Sequence, residues 1–111
     1  MSEIKEELER MAREQAIYPD WEPNAGDVIA GEVIVRKTIE RTDGTTNEVI
    51  VVVPEDGSEA RTIWESAVLK KLFGEVKIGD RVGIKYLGMQ ESKKTKGRMY
   101  KNYIWTLKKK E

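Results

Sequence analysis

Cationic and aromatic side chains meet in one short part of the sequence. Residues 88–98 contain four cations, one acid and no apolar period, which is typical of a solvated loop. Tyrosines follow directly. Lysine and arginine bind phosphates, and flat rings stack on bases of any sequence, so this combination predicts a single-stranded nucleic-acid site. The residues concerned are Lys93, Lys94, Lys96, Arg98, Tyr100, Lys101 and Tyr103.

The loop also has a simpler interpretation, because lysines keep the tip of a hairpin soluble in many proteins. Its length favours a functional role. Loops of about eleven residues are uncommon within compact domains and tend to be functional or disordered. Both interpretations stay open at the level of sequence.

The net charge of zero hides a division along the chain. Residues 1–78 carry ten Lys or Arg and seventeen Asp or Glu, a net charge of −7, whereas residues 79–111 carry ten and three, a net charge of +7. The concentration of positive charge predicts an anionic partner for the last third of the chain. The alternative is an uneven surface that ends in a solubilising basic tail, residues 108–111.

The composition limits the chemistry that the protein can perform. With no Cys and no His, the chain has no disulfides or thiolate metal sites, and it lacks the commonest general base and zinc ligand. No spacing groups the carboxylates for a metal ion. We therefore expect a protein that is not an enzyme and that needs no cofactor.

Length and hydropathy predict a single domain and no membrane partner. The 111 residues suffice for one modest core. No apolar run approaches the length of a membrane span, and the first residues are too polar for a signal peptide. We expect a cytoplasmic protein.

The first 17 residues predict an amphipathic helix with a thin apolar stripe. Ile4, Leu8 and Met11 share one face, and acidic residues suit the amino-terminal end of the helix dipole. Three residues bury little area. The helix could fray, dock on the domain or pair with another copy of the chain, and the sequence does not choose among these.

Alternation of apolar residues and turn signals predict five strands and one internal helix. The first strand is long and contains Gly31, which indicates a bend. Ser66 is a candidate N-cap for the internal helix and Gly74 a candidate stop. The predicted strands are residues 27–39, 49–53, 60–64, 82–86 and 99–107, and the helix covers residues 66–73.

Three strands, a helix and two strands is the order of an OB-fold, a small five-stranded barrel, here over residues 18–107. The order alone is also compatible with an SH3-like barrel or an open α+β sheet. In addition, several short sequence motifs resemble those of small OB-fold single-stranded-DNA-binding-like proteins of phages and prokaryotes. The motifs concerned are Trp-x-Pro-x-x-Gly at 21–26, Glu-Asp-Gly at 55–57, Ile-Trp at 63–64, Ile-Gly-Asp-Arg-Val-Gly-Ile-Lys-Tyr-Leu-Gly at 78–88 and Gly-Arg-Met-Tyr-Lys-Asn-Tyr at 97–103.

An OB-fold implies a ligand path across strands two and three, between the loop joining strands one and two and the loop joining strands four and five. Tyr100 is the first stacking candidate because it is out of phase with the apolar residues of the last strand. Trp64 and Tyr103 come next. Further cations expected along this path are Arg36, Lys37, Arg41, Arg61 and Lys85.

Other aromatic residues are assigned to packing. Tyr86 shares its phase with the apolar residues of the fourth strand, and Trp105 does so in the fifth. Tyr18 and Trp21 are expected to anchor the segment before the first strand. A small barrel buries several rings whatever it binds.

These observations predict non-enzymatic, largely sequence-independent binding of single-stranded DNA, in a setting of replication or recombination. RNA is an alternative ligand, because stacking and phosphate contacts do not read the 2′-hydroxyl group. A different class of function is a protein-interaction adaptor that uses the barrel edge or the amino-terminal helix.

Overall fold

Two helices and five strands form the part of the chain that the computed structural model describes, residues 2–15 and 18–110. The predicted order of elements is confirmed, and the protein is mainly β. No helix in these residues is long and apolar enough to cross a membrane. The elements are α1 (Ser2–Gln15), β1 (Val28–Glu40), β2 (Thr46–Pro54), β3 (Arg61–Trp64), α2 (Lys70–Glu75), β4 (Arg81–Glu91) and β5 (Met99–Lys108).

The longest strand, β1, pairs with two neighbouring strands. Residues 28–32 pair with β4 and residues 31–40 pair with β2, both antiparallel. The register of the second ladder shifts between Val33 and Val35, which leaves one extra residue on β1 and bends the strand there. The bend predicted for this strand is therefore present, close to the predicted position.

Gly31 and Glu32 belong to both ladders, and Gly31 lies opposite Pro54 of β2 and Val82 of β4. A Cβ atom at this position would lie 1.8 Å from the carbonyl oxygen of Val53. No side chain fits in that space. Glycine is needed here for the close approach of two backbones, and the bulge itself lies further along β1.

The five strands form one antiparallel sheet in the order β3-β2-β1-β4-β5. In the described part of the chain, no hydrogen-bonded ladder joins β3 to β5. The sheet is therefore open. Backbone hydrogen bonds do not close the barrel that the sequence predicts.

A segment that precedes β1, residues 18–27, lies against both halves of the sheet and is called the strap below. Near its beginning, the Trp21 N–H group donates to the carbonyl oxygen of Thr62 in β3 at 2.9 Å. Near its end, the Gly26 N–H group donates to the carbonyl oxygen of Tyr86 in β4 at 2.7 Å. The strap thus connects strands that are not neighbours in the sheet.

The core lies between the inner face of the sheet and α2. Leu72 and Phe73 of α2 are fully buried there. Tyr86 is buried, as predicted, and Trp105 packs partly buried against the core. The buried cluster comprises Ile29, Val33, Ile50, Val52, Ile63, Leu69, Leu72, Phe73, Val76, Val82 and Ile84.

The limits predicted for the internal helix are wrong at both ends. Ser66 does not begin the helix: its hydroxyl accepts a hydrogen bond from the Leu69 N–H group at 3.3 Å and closes a turn, and α2 begins at Lys70. Gly74 does not stop it, because its φ is not positive and the helix continues for one more residue.

The loop between β4 and β5 is shorter than predicted. Gly88 was expected to leave the strand, but it takes φ 95° at a bulge, and pairing with β5 resumes beyond it as far as Glu91. The loop is limited to residues 92–98. The bulge hides the continuing strand, because the extra residue breaks the alternation that sequence analysis follows.

Asp80 is a buried carboxylate that binds the end of the chain. It is 3% exposed and accepts hydrogen bonds from the backbone N–H groups of Lys110 (2.8 Å) and Lys77 (2.9 Å) and from the Lys109 ammonium group (3.3 Å). The Lys110 bond is the main cause that lowers the pKa of Asp80. Two residues of the predicted basic tail are thus tied to the domain.

We expect Gly31→Ala to lower the free energy of unfolding by about 3 kcal/mol, because the added methyl group meets backbone on the neighbouring strand. Gly74→Ala is the matched control. Nothing lies within 4 Å of its Cβ position, so a helical alanine should raise the same quantity by about 0.5–1 kcal/mol. Denaturant unfolding measures both, and a small effect of Gly31→Ala would contradict the close approach.

We expect Asp80→Asn to lower the free energy of unfolding by about 1–3 kcal/mol at neutral pH, because it removes a charged acceptor from buried donors. The pKa of Asp80 is lowered in the folded protein, so its contribution is complete above the pKa of an unfolded aspartate and is lost as pH falls through the folded pKa. The difference between wild type and variant should therefore narrow in acid. A difference that is independent of pH would contradict this role.

Candidate nucleic-acid interface

The loop of residues 92–98, called the basic loop below, has a backbone held by its own hydrogen bonds. The Ser92 N–H group donates to the carbonyl oxygen of Arg98 at 2.8 Å, and the Gly97 N–H group donates to the carboxylate of Glu91 at 3.0 Å. The one acid near the loop is thereby used to hold the backbone. The exposed cations of the loop are Lys93, Lys94, Lys96 and Arg98.

The hairpin of β4 and β5 presents two different faces. Tyr103 lies opposite Tyr86, and Lys101 lies opposite Met89, so all four side chains share the face that continues from the core. Tyr100 alternates with them and lies on the other face. The predicted stacking residues Tyr100 and Tyr103 therefore do not act on the same surface.

Three rings meet on the core side of the hairpin, where the strap crosses β5. The ring centres of Tyr86 and Tyr103 are 5.2 Å apart, and those of Trp21 and Tyr103 are 6.2 Å apart. With Lys101 they line a pocket of about 400 Å³, called the aromatic pocket below. Its remaining lining residues are Glu22, Pro23 and Asn24.

The aromatic pocket combines flat apolar surfaces with a cation. Trp21 and Tyr103 are half-buried, so part of each ring is covered by the protein and part faces the pocket. Burial raises the pKa of Tyr103, and Tyr86 adds to the shift, so the hydroxyl stays neutral. A half-buried ring beside an exposed lysine suits a ligand with a planar ring and a nearby negative charge.

Tyr100, the first stacking candidate from the sequence, lies outside the aromatic pocket. Its side chain is 38% exposed, and its hydroxyl donates to the Gln90 side-chain oxygen at 3.5 Å. The Asn102 amide donates to the same oxygen at 2.9 Å. Tyr100 thus belongs to a polar group on the outer face of the hairpin.

The cations near the first hairpin turn differ in their surroundings. Arg36 is half-buried, lies 3.2 Å from the Glu48 carboxylate and donates to the carbonyl oxygen of Val76. These contacts join β1 and β2 to the end of α2. Lys37 and Arg41 are exposed, at the end of β1 remote from its pairing with β4.

Trp64 and Lys85 lie at two further places on the sheet. Trp64 is 37% exposed, and its indole N–H group donates to the Asp20 carboxylate at 3.0 Å, which fixes the strap to β3. Lys85 is exposed on the outer face, between Val28 of β1 and Ile104 of β5. Neither residue lines the aromatic pocket.

Arg61 lines a second depression of about 590 Å³ on the other side of Trp21, called the acidic groove below. Arg61 is half-buried at the start of β3. The acidic hairpin turn between β2 and β3 forms one wall. The carboxylates that line the groove are Glu22, Asp27, Glu55, Asp56 and Glu59.

Sequence reasoning assigned Trp21 and Tyr86 to packing alone. The phase of Tyr86 in its strand and the prolines and glycine near Trp21 did not indicate a pocket. The spacing of residues in the sequence does not reveal which strand the strap crosses. The structure brings Lys101 and Tyr103 of the predicted set together with these two rings. The other predicted residues are distributed over the basic loop, the outer face and the β1–β2 end of the sheet, except that Arg61 lines the acidic groove and Trp64 bonds to the strap from β3.

Comparison with known proteins finds no matching family model, no matching curated protein and no matching solved structure. Among the described residues, no group of three or more acidic side chains is arranged to hold a metal ion.

Proposed function

We propose that the protein is a partly open OB-fold module that binds single-stranded DNA, largely without sequence preference, in replication or recombination. The strand order, with β1 paired to both β2 and β4 and a helix between β3 and β4, supports this fold. The binding itself involves no covalent chemistry, and the protein is not an enzyme.

The observation that carries the proposal is the position of the aromatic pocket. It lies midway along the β4–β5 hairpin whose tip is the basic loop, and Lys101, one of its lining residues, lies on the side of the loop. A strand that follows β5 would place phosphates near the cations and one base against Tyr103 or Trp21. Base stacking on an aromatic side chain contributes about 1–3 kcal/mol per base.

This mode of binding discriminates little between nucleotide sequences. The cations contact phosphates, which are the same at every position, and rings stack on any base. RNA would satisfy the same contacts, because neither kind reads the 2′-hydroxyl group. RNA is thus an alternative ligand for the same site, and its binding would use the same mechanism.

A protein-interaction adaptor is the second candidate function, and α1 favours it. Ile4 and Leu8 are 70% and 60% exposed, so most of the apolar surface of these two side chains is uncovered. An exposed apolar stripe of this kind suits a groove on another protein or a second copy of the chain. This role is compatible with DNA binding by the hairpin.

Replacing Lys93, Lys94 and Lys96 together with Ala should weaken binding of oligothymidylate and flatten its salt dependence. Each phosphate contact contributes about −0.7 to the slope of log affinity against log salt for single strands, so loss of three contacts should reduce the slope by about 2. Fluorescence anisotropy at several salt concentrations measures it. If the slope stays unchanged, the basic loop does not contact phosphates.

Tyr103→Leu and Tyr100→Leu form a matched pair on the two faces of β5. If a base stacks in the aromatic pocket, Tyr103→Leu should weaken binding by about 1–3 kcal/mol without changing the salt slope, and Tyr100→Leu should have little effect. Tyr103→Phe keeps the ring and should bind normally. Thermal melting identifies any variant that has lost its fold. The reverse ranking of the two leucine variants would move the stacking site to the outer face.

A further inference from the structure

We propose that the bound strand ends at Trp21, because the acidic groove beyond it repels phosphates. This inference rests on the proposed function and adds the length of the ligand to it. Each copy of the protein then binds a short segment along the hairpin, and the opposite half of the sheet takes no part. The acidic groove acts as a boundary and not as a binding site.

The two depressions are direct neighbours. Trp21 and Glu22 line both of them, with the aromatic pocket on one side and the acidic groove on the other. A strand that passes from the basic loop over Lys101 to Trp21 would meet Glu22 first and then the groove.

The charges of the acidic groove are arranged against an anion. Glu22, Asp56 and Glu59 are exposed, so their fields reach a strand at the surface. Hydrogen bonds from Ser58 lower the pKa of Asp56, which keeps that carboxylate charged. The Debye length at physiological salt is about 8 Å, so the repulsion acts on phosphates that come within about that distance of the carboxylates.

Arg61 does not compensate for these acids. It is the one cation among the described lining residues of the acidic groove, against five carboxylates. Glu55 is partly neutralised by Arg81 at 3.3 Å, but both side chains are exposed and the pair is screened. A phosphate that reached Arg61 would therefore approach an excess of negative charge.

The remaining path is short. From Tyr103 to Met99, β5 extends by about 14 Å, and the basic loop continues it. This length accommodates about four to six nucleotides, at the lower end of the range for one OB-fold. If the boundary exists, a longer oligonucleotide makes no additional phosphate contacts. It gains affinity only because it contains more alternative segments that can occupy the site.

The test compares oligothymidylates of about five and about fifteen nucleotides. For each one, the slope of log affinity against log salt concentration gives the number of phosphate contacts, at about 0.7 per contact. For the wild type, we expect equal slopes for the two lengths. In the variant with Asp56→Asn and Glu59→Gln, the longer strand should cross the groove and reach Arg61. Its slope should steepen by about 0.7 or more and its affinity should rise about threefold to tenfold, while the short strand changes little.

A matched control carries Glu3→Gln and Glu6→Gln in α1, which changes the net charge equally at exposed positions that do not line the groove. Its two salt slopes should stay equal. Unequal slopes in the wild type, or equal slopes in the groove variant, would overturn the boundary and leave the proposed function intact. If the wild type binds neither oligonucleotide, the proposed function fails and the boundary fails with it.

Discussion

The sheet depends on the contact between two backbones at Gly31. One strand must pair with β2 and β4 at the same residue, and the Val53 carbonyl oxygen occupies the space where any side chain would begin. Because β1 serves both partners there, the sheet can turn on itself and enclose α2 on its inner face. The positions of the basic loop and of the β1–β2 turn beyond opposite ends of β1 follow from the same pairing.

The strap connects the two edge strands of the sheet, which no hydrogen-bonded ladder joins in the described residues. Since no hydrogen-bonded pairing joins β3 to β5 in the described residues, these strands are related through a segment that bonds to β3 by its backbone and contacts β5 by the Trp21 ring. The same ring separates a cationic, aromatic surface from an acidic one. One side chain therefore links the architecture of the sheet to the division of charge on its surface.

Alternation of apolar residues was sufficient to predict the order of elements and the burial of Tyr86, because one-sided burial of a strand has a period of two. The same pattern did not predict the end of β4, because the extra residue at the Gly88 bulge shifts the alternation. The loop between β4 and β5 was therefore predicted to be longer than it is. Ser66 and Gly74 carried ordinary helix signals, but Ser66 closes a turn before α2 and Gly74 lies within the helix. The role of Trp21 was beyond prediction, because it arises from a contact between segments that are 82 residues apart in numbering.

The hydrogen bond between Asp80 and Lys110 bears on how the domain is completed during synthesis. It joins residues that are thirty positions apart, across the whole β4–β5 hairpin. A nascent chain that has released β4 from the ribosome still lacks β5 and two of the three donors for this buried carboxylate. The native contacts of the β4 end are therefore incomplete until the hairpin has emerged, and that hairpin carries the region proposed to bind nucleic acid.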